Sequence, residues 1–228
     1  MKLEKVTKTG DAARRWYDDA CGTAHALELV GERWSLLIMR ELMLGPRRFG
    51  DLRASLPGLS ANILTQRLGG LEGAGILRRT RLPPPASVQA YELTGWGLEA
   101  EPIIRDLGRW AARSPGHDPT LPLSPVSLML SFRTMFDAAK VKVQDPSLSL
   151  AFRLGEEDFA VQVRDGVLEA GRGQASSPDA MIVATPEAVA GAVYGDEVAL
   201  KALEPMITGD VAAFRTFAGY FEMPPKAG

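Results

Sequence analysis

Residues 24–96 constrain the fold of this chain most, because segments with helical and strand periodicity follow one another there in a specific order. Apolar residues recur at helical spacing over 24–30 and 35–44 and predict two helices. Gly45-Pro46 ends the second of these helices. The residues that this spacing assigns to the core are Leu27, Val30, Leu37, Ile38 and Leu42.

Two further helices follow in quick succession. Residues 48–56 predict a short third helix, and Pro57-Gly58 predicts the turn after it. Ser60 is a favourable N-cap for a fourth helix that runs to about Gly73. The third helix would bury Phe49, Leu52 and Leu56, and the fourth would bury Ile63, Leu64, Leu68 and Leu71.

Two strands then flank a proline-rich loop. Residues 76–82 and 89–93 have strand character, and residues 83–87 between them read PPPAS. Thr94 is the predicted cap of a last helix, whose apolar residues are Leu98, Ile103, Ile104, Leu107 and Trp110. Helices followed by a two- or three-stranded wing predict a winged helix-turn-helix, a fold that inserts one helix into a DNA groove.

The outward face of the fourth helix is suited to reading bases. If Ile63, Leu64, Leu68 and Leu71 are buried, then Ala61, Asn62, Thr65 and Gln66 point outward. Asn and Gln amides can pair bidentately with adenine, Thr offers a hydroxyl or a methyl group, and the small Ala61 allows a close approach. A plain solvated helix face is the alternative interpretation of the same residues.

Basic and hydroxyl side chains surround this face and could contact the phosphates, which would set the register of the protein on DNA. The predicted phosphate contacts are Arg47, Arg48, Ser60, Arg67, Arg79 and Arg81. Since strand alternation splits Arg78, Arg79 and Arg81 between two faces of the wing, only part of this set can face the same way.

Residues 21–113 resemble the HxlR-type winged-helix regulators, which are related to the MarR regulators of bacteria. The resemblance is carried by Cys21, by LELVGERWSLLIMRELMLGPRRFGDL, by LPGLSANILTQRLGGLEGAGIL and by YELTGWG. It implies a cytoplasmic homodimer that binds a pseudo-palindromic operator. The dimer interface would then be formed by residues 24–30 and 98–110.

Glycines mark the places where the sequence departs from that family. Gly69, Gly70 and Gly73 lie in the second half of the fourth helix, where each costs about 1 kcal/mol relative to alanine. We expect either a frayed helix end or an unusually close neighbouring backbone. Gly95-Trp96-Gly97 replaces a more polar turn, and the sequence offers no explanation for it.

Composition and charge agree with this division of the chain. The 228 residues carry a net charge of −2, which divides into +4 over residues 1–113 and −6 over residues 114–228. A basic half suits DNA and an acidic half would repel it, although chance alone could produce this difference. The N-terminus shows no secretory signal, and a single cysteine suits a reducing cytoplasm.

The single cysteine has two interpretations. Cys21 and His25 are four residues apart, so a continuous helix would place them on one face. A nearby imidazolium or a helix N-terminus could lower the thiol pKa and create a redox sensor, as the family resemblance also suggests. The alternative is a small buried residue at the dimer interface. Two histidines and one cysteine give little support to a metal site.

A proline-rich segment, residues 114–125, separates the two halves. Beyond it, residues 127–140 predict an apolar helix, and Asp165-Gly166 predicts a tight turn within a sheet of four or five strands. The strand-like segments are 148–154, 159–166, 166–173 and 180–185. Thr185-Pro186 begins a helix through Val193, and a last helix covers 210–221, which makes this half α+β.

This second half resembles a sterol-carrier-protein type 2-like domain, most clearly in LEPMITGDVAAFRTFAGYF and PDAMIVATPEAVAGAVYGD. The resemblance implies an apolar tunnel between sheet and helices that holds a hydrophobic small molecule. Candidate lining residues are Phe132, Met135, Phe136, Phe152, Val161, Val163, Met206, Phe214, Phe217 and Phe221. The same residues could simply form the core, or the domain could only enlarge the dimer interface.

The sequence therefore predicts an α+β chain with an N-terminal tail (1–20), a winged helix-turn-helix domain (21–113), a linker (114–125) and a sterol-carrier-like domain (126–228). We predict a homodimeric transcription regulator that binds double-stranded DNA and responds to a hydrophobic effector, with no cofactor and no membrane partner. No catalytic motif was found, so we expect no enzyme. The alternative is a small-molecule carrier or enzyme whose winged helix serves protein–protein assembly.

Overall fold

The computed structural model describes residues 17–84, 87–142, 145 and 147–228. The first half consists of four helices, a two-stranded antiparallel hairpin and two more helices. They are α1 (Gly22–Val30), α2 (Ser35–Leu42), α3 (Phe49–Ser55), α4 (Ala61–Gly73), β1 (Leu77–Arg81), β2 (Gln89–Leu93), α5 (Gly95–Leu98) and α6 (Glu101–Ala112). The winged helix-turn-helix order predicted from the sequence is thus present.

The second half is a five-stranded mixed sheet with helices around it. Its elements are α7 (Pro125–Met135), β3 (Leu148–Leu154), β4 (Glu157–Arg164), β5 (Val167–Arg172), β6 (Ala180–Ala184), α8 (Pro186–Tyr194), α9 (Glu197–Leu203), β7 (Ile207–Gly209) and α10 (Val211–Ala218). The strand order is β5-β4-β3-β6-β7, in which only β3 and β6 run parallel. An α+β sheet domain was predicted, and the structure contains one.

Local signals placed most of these elements correctly. Ser60 accepts a hydrogen bond from the Ile63 amide and begins α4, and Thr185 does the same for the Ala188 amide at α8. Asp165 and Gly166 both have positive φ angles, 52° and 73°, as a two-residue hairpin turn requires.

Two helix boundaries and one strand differ from the prediction. The helix expected over 127–140 ends at Met135, because Phe136 turns to an extended conformation with a ψ of 129°. The long helix expected after Thr94 is divided into α5 and α6. The three-residue strand β7 was not predicted, since it is too short to show alternation.

The glycines of the GWG segment are explained by close packing. Gly97 is buried, and a Cβ atom there would collide with the Ile76 carbonyl oxygen and press on Leu93. Thr94 also donates its hydroxyl to the Gly75 carbonyl at 2.8 Å. The start of α5 is therefore held against the beginning of the wing, with no room for a side chain at position 97.

Two apolar residues predicted to be core, and four apolar residues of the helix predicted after Thr94, are exposed in the single chain. Leu27 is 49% exposed, Leu37 39% and Leu98 45%, and the outer face of α6, formed by Ile103, Leu107 and Trp110, is exposed by 66%, 45% and 71%. The core prediction was wrong for Leu27 and Leu37, because helical spacing identifies an apolar face without saying what covers it. The burial of residues 98–110 in a dimer stays a prediction.

The two halves share one continuous core and several polar contacts. Arg133 of α7 pairs with Glu101 of α6 at 2.7 Å, and the buried Glu41 of α2 accepts a hydrogen bond from the Ser124 hydroxyl at 2.6 Å. Lys226 donates to the Ala112 carbonyl at 3.1 Å and so caps the C-terminus of α6.

We predict that Gly97→Ala lowers the free energy of unfolding by about 1–3 kcal/mol, because the new methyl group must displace the Ile76 carbonyl. Urea denaturation followed by circular dichroism measures this change.

Gly69→Ala is the matched control, since an added Cβ at Gly69 meets no atom within 4 Å. In the interior of α4 it should raise the free energy of unfolding by up to about 1 kcal/mol. Equal effects of the two substitutions would contradict the packing described for Gly97.

Candidate nucleic-acid interface

The candidate DNA-reading helix is α4, which is capped by Ser60 and seated on the core by Leu64, Leu68 and Leu71. Burial of this stripe leaves Asn62, Thr65 and Gln66 exposed, and Ala61 half-buried. The Thr65 hydroxyl donates to the Ala61 carbonyl at 2.9 Å, which leaves its oxygen as an acceptor and its methyl group for contact. The face thus carries amide and hydroxyl groups and no carboxylate.

The glycines of α4 neither fray the helix nor admit a close neighbour. The helix continues through Gly73, and a Cβ added at Gly69, Gly70 or Gly73 would meet nothing within 4 Å. Both explanations expected from the sequence are therefore wrong, and the structure shows no packing reason for these three residues.

Arg67 holds α4 in place. Its guanidinium lies 2.7 Å from the Glu32 carboxylate and donates through Nε to the Arg33 carbonyl at 3.0 Å. These bonds tie the middle of α4 to the corner between α1 and α2. The Arg67 guanidinium is engaged within the protein rather than presented to a phosphate.

The wing supplies exposed arginines beside the helix. Arg79 and Arg81 alternate with Thr80 along β1 and so share a face, and Arg79 pairs with Glu72 of α4 at 3.1 Å. Arg78 lies on the other face and pairs with Glu92 at 2.8 Å.

Arg48 is the exposed N-cap residue of α3. Neither Arg48 nor Arg81 forms an ion pair with any residue in the part of the chain that the structure describes. Their guanidiniums are therefore available to a partner.

Arg47 does not fit the predicted phosphate role, and that prediction was wrong. Its backbone pairs with Tyr91 as a one-residue third strand of the wing, while its side chain is 93% buried. The guanidinium lies 2.6 Å from Glu157 of the sheet domain and donates to the Ser55 hydroxyl at 2.9 Å. A side chain so enclosed cannot reach a DNA backbone.

Cys21 is exposed in the single chain and immediately precedes α1 as its N-cap residue, and its burial at a dimer interface stays a prediction. Hydrogen bonds from the Thr23 backbone, the Thr23 side chain and the Ala24 backbone lower the pKa of the Cys21 thiol. The cause is the N-terminus of α1, whose free amides stabilise a thiolate.

The phenylalanines predicted to line a tunnel pack against one another. Phe132 lies 5.2 Å from Phe217, 5.4 Å from Phe221 and 5.8 Å from Phe152, measured between ring centroids. The predicted lining residues that are at least nine-tenths buried are Phe132, Met135, Phe152, Val161, Val163, Phe214, Phe217 and Phe221. Phe136 is half-buried, and Met206 is 47% exposed, so Met206 does not belong to the core.

Sequence reasoning missed a group of charges where the two halves meet. Glu41 is fully buried, and Glu157 pairs with both Arg47 and Arg172. Arg47 and Glu157 are 110 residues apart, so no local pattern could connect them. A charged residue within the apolar helix α2, at Glu41, was the only available signal.

Across the residues that the structure describes, no helix is long and apolar enough to span a bilayer. Within the same residues, no three His, Cys, Asp or Glu side chains are grouped so as to hold a metal ion.

Comparison with known proteins places the winged-helix half in a family. The sequence model described as HxlR-like helix-turn-helix matches residues 29–118. The uncharacterized HTH-type transcriptional regulator sll1512 of Synechocystis is 40% identical to this chain over the aligned region. That region covers 37% of this chain and 62% of the relative's length. Less than two thirds of this relative is thus matched.

Two Bacillus subtilis proteins are covered more completely. The uncharacterized HTH-type transcriptional regulator YvaP is 35% identical over 38% of this chain and 80% of its own length. The HTH-type transcriptional regulator YodB is also 35% identical over 38% of this chain, and 77% of YodB is covered. On the strength of these matches, the chain belongs to the HxlR-like helix-turn-helix family.

Proposed function

We propose that this protein is a DNA-binding transcription regulator that acts as a homodimer, with α4 as its recognition helix. The observation that carries the proposal is the exposed face of Asn62, Thr65 and Gln66 on a helix whose opposite side is fully seated in the core. The names of the relatives, which are HTH-type transcriptional regulators, support the same function.

The chemistry of this face suits the major groove. The amides of Asn62 and Gln66 can each donate to and accept from adenine, and Thr65 can contact a thymine methyl group. Each good bidentate contact discriminates against the wrong base by about 1–3 kcal/mol. A carboxylate at any of these positions would repel the phosphates, and none is present.

Phosphate contacts are assigned to Arg48, Arg79 and Arg81, with the exposed Ser60 hydroxyl at the N-terminus of α4. Arg79 would exchange its pairing with Glu72 for a phosphate, since both side chains are solvent-accessible. Such contacts carry no sequence information, but they provide much of the affinity and make it depend on salt.

The homodimer is proposed to form through α1 and α6. None of the residues of α1 is buried within the chain, and the outer face of α6 exposes Ile103, Leu107 and Trp110. Exposed apolar side chains at helical spacing mark a surface that another protein surface covers. Two recognition helices about one helical turn of DNA apart would then address a pseudo-palindromic operator.

The sheet domain is proposed to be a sterol-carrier-like sensor whose hydrophobic effector alters DNA affinity. An effector between the sheet and its helices would have to separate the rings around Phe132, which lie 5.2–6.4 Å apart. A ligand can shift the protein between two states only if it binds one of them more tightly.

We predict that combined substitution of Asn62, Thr65 and Gln66 by alanine abolishes sequence selection and retains salt-sensitive, non-specific binding. Affinity for the selected duplex should fall by at least about tenfold, since one lost base contact costs about 1–3 kcal/mol. Selection from random 30-base-pair duplexes, followed by fluorescence anisotropy, measures both properties.

Gln174→Ala, an exposed amide in the sheet domain, is the control and should leave DNA affinity unchanged. A folded wild-type protein that binds none of the duplexes would contradict regulation and favour a winged helix used for protein–protein assembly.

We also predict that Leu107→Asp dissociates the dimer. A charge in the centre of the outer face of α6 should weaken association by at least about 30-fold, the effect of losing a hot-spot contact of ~2 kcal/mol. Sedimentation velocity over a range of protein concentrations measures the change.

Val198→Asp introduces the same charge at a residue of α9 that is 75% exposed, and it should not alter association. A wild-type protein that sediments as a monomer, or a Leu107→Asp variant that remains dimeric, would contradict this interface.

Cys21 is proposed as a redox-sensitive thiol, and its acidity can be tested directly because the chain contains one cysteine. We predict that the rate of alkylation by iodoacetamide reaches half its maximum at a pH below the ordinary thiol pKa of about 8.5. Thr23→Val should raise that midpoint, because the loss of the side-chain hydrogen bond destabilises the thiolate.

Thr120→Val, an exposed threonine in the linker, serves as the comparison and should leave the alkylation profile unchanged. The explanation based on Thr23 would be refuted by identical pH profiles of the wild type and Thr23→Val.

A further inference from the structure

A cleft of about 920 Å³ lies where the two halves of the chain meet, and we call it the interdomain cleft. One side is formed by α2, α3 and the corner before α2, and the other by the beginning of α7, the turn between β3 and β4, and the end of β5. Its size is within the range of small-molecule sites. Apolar walls are provided by Trp34, Leu37, Leu56, Pro57, Pro122 and Leu123.

The polar floor of the cleft contains two arginines that share one carboxylate. Arg47 Nη1 lies 2.6 Å from Glu157 Oε2, and Arg172 pairs with the same oxygen. Arg172 also stacks over the Phe159 ring, with 5.2 Å between Cζ and the ring centroid. With the neighbouring pair of Arg40 and Glu41 included, three guanidiniums stand against two carboxylates, which leaves a local excess of one positive charge.

Hydrogen-bond donors are also in excess at this floor. Among the residues that the structure describes, Nε of Arg47 and both Nε and Nη2 of Arg172 are buried without an acceptor, against one acceptor without a donor, Glu41 Oε2. Burial, reinforced by the charge of Arg47, lowers the pKa of Arg172 to about 10. Unsatisfied buried donors on a charged group are costly, so an anionic acceptor brought to this floor would be bound favourably.

The remaining charges restrict the kind of anion. Glu41 pairs with Arg40 at 2.8 Å and accepts from Ser124 at 2.6 Å, and its charge also favours the protonated forms of Arg47 and Arg172, raising their pKa against the effect of burial. Asp51 and Glu156 are exposed at the rim and would repel a multiply charged ligand such as a phosphate ester. A single negative charge on an apolar body suits both the floor and the walls.

Trp34 adds an independent observation. It has a φ angle of 81°, in the left-handed region, and it is not a glycine. Such strained backbone conformations persist where the surroundings enforce them and are concentrated at functional sites. Here the strained residue forms an apolar wall of the cleft, with the Arg33 guanidinium 5.3 Å from its ring.

We propose that the interdomain cleft binds a small monocarboxylic acid with a compact apolar body. Its carboxylate accepts hydrogen bonds from Arg47 and Arg172 in competition with Glu157, and its apolar body lies among Trp34, Leu56 and Leu123. Because the site needs residues from both halves, the ligand favours the arrangement in which the sheet domain is closed onto α3. The effect of the ligand on DNA affinity rests on the proposed regulatory function, whereas binding itself does not.

The test is isothermal titration calorimetry of the full chain with benzoate and hexanoate, and with the neutral benzamide and hexanamide. We expect heats of binding for the acids and none for the amides. Arg172→Gln should weaken acid binding by at least about tenfold, the usual effect of losing a charge-assisted hydrogen bond. Glu157→Gln should strengthen it, because the internal competitor loses its charge.

Arg153→Gln is the matched control, since Arg153 is exposed and pairs with Asp158 outside the cleft. Opposite effects of the Arg172 and Glu157 variants cannot arise from general unfolding, and circular dichroism verifies the fold of each. The proposal would be overturned if acids and amides bound equally, or if neither acid gave heat at millimolar concentration. Unchanged acid affinity in both the Arg172 and the Glu157 variants would overturn it as well.

Fluorescence anisotropy with the selected duplex is repeated at saturating benzoate. This measurement tests the effect of the ligand on DNA affinity separately from the binding of the ligand in the cleft. Calorimetric binding with unchanged DNA affinity upholds the site and contradicts only its regulatory effect. Absence of calorimetric binding refutes the site even if the protein binds DNA.

Discussion

The ion pair between Arg47 and Glu157 is the interaction on which the relation between the two halves depends. Arg47 also pairs its backbone with Tyr91 in the wing, and its side chain binds Ser55 at the end of α3. One residue thus joins the wing, the helix before α4 and the sheet domain. Since removal of one partner leaves an uncompensated buried charge, this junction is costly to open without a substitute for Glu157.

The helix α6 has a second organising role because one of its sides joins the two halves while the other is apolar and exposed. One side packs on α7, where Arg133 pairs with Glu101, and Arg109 donates to the Thr134 carbonyl at 3.0 Å. The other side exposes Ile103, Leu107 and Trp110. A partner seated on that outer face would therefore contact the same helix that carries the sheet domain.

The sequence predicted those features that depend on near neighbours. Ser60 and Thr185 were identified as helix caps, and Asp165-Gly166 as a turn, because the hydrogen bonds and φ angles involved lie within a few residues. The α+β class and the winged-helix order followed from periodicity, which each segment carries on its own.

What could not be predicted depends on contacts between distant segments. Arg47 was assigned to DNA because it stands beside Arg48, but its partner Glu157 is 110 residues away. Leu27 and Leu107 lie on apolar helix faces and are exposed in the single chain, because periodicity identifies an apolar face without showing what covers it. Gly97 is required by the Ile76 carbonyl, which only the folded chain brings to that position.

Residues 225–227 give the sheet domain a second attachment to α6. The first is the covalent linker after Arg113, and the second consists of Lys226 on the Ala112 carbonyl and of the Ala227 amide, which donates to the Arg113 carbonyl at 2.7 Å. A domain that is attached to the same helix end at two points can rotate less than a domain held by a single linker. Any displacement of the sheet domain would therefore be transmitted directly to the C-terminal end of α6.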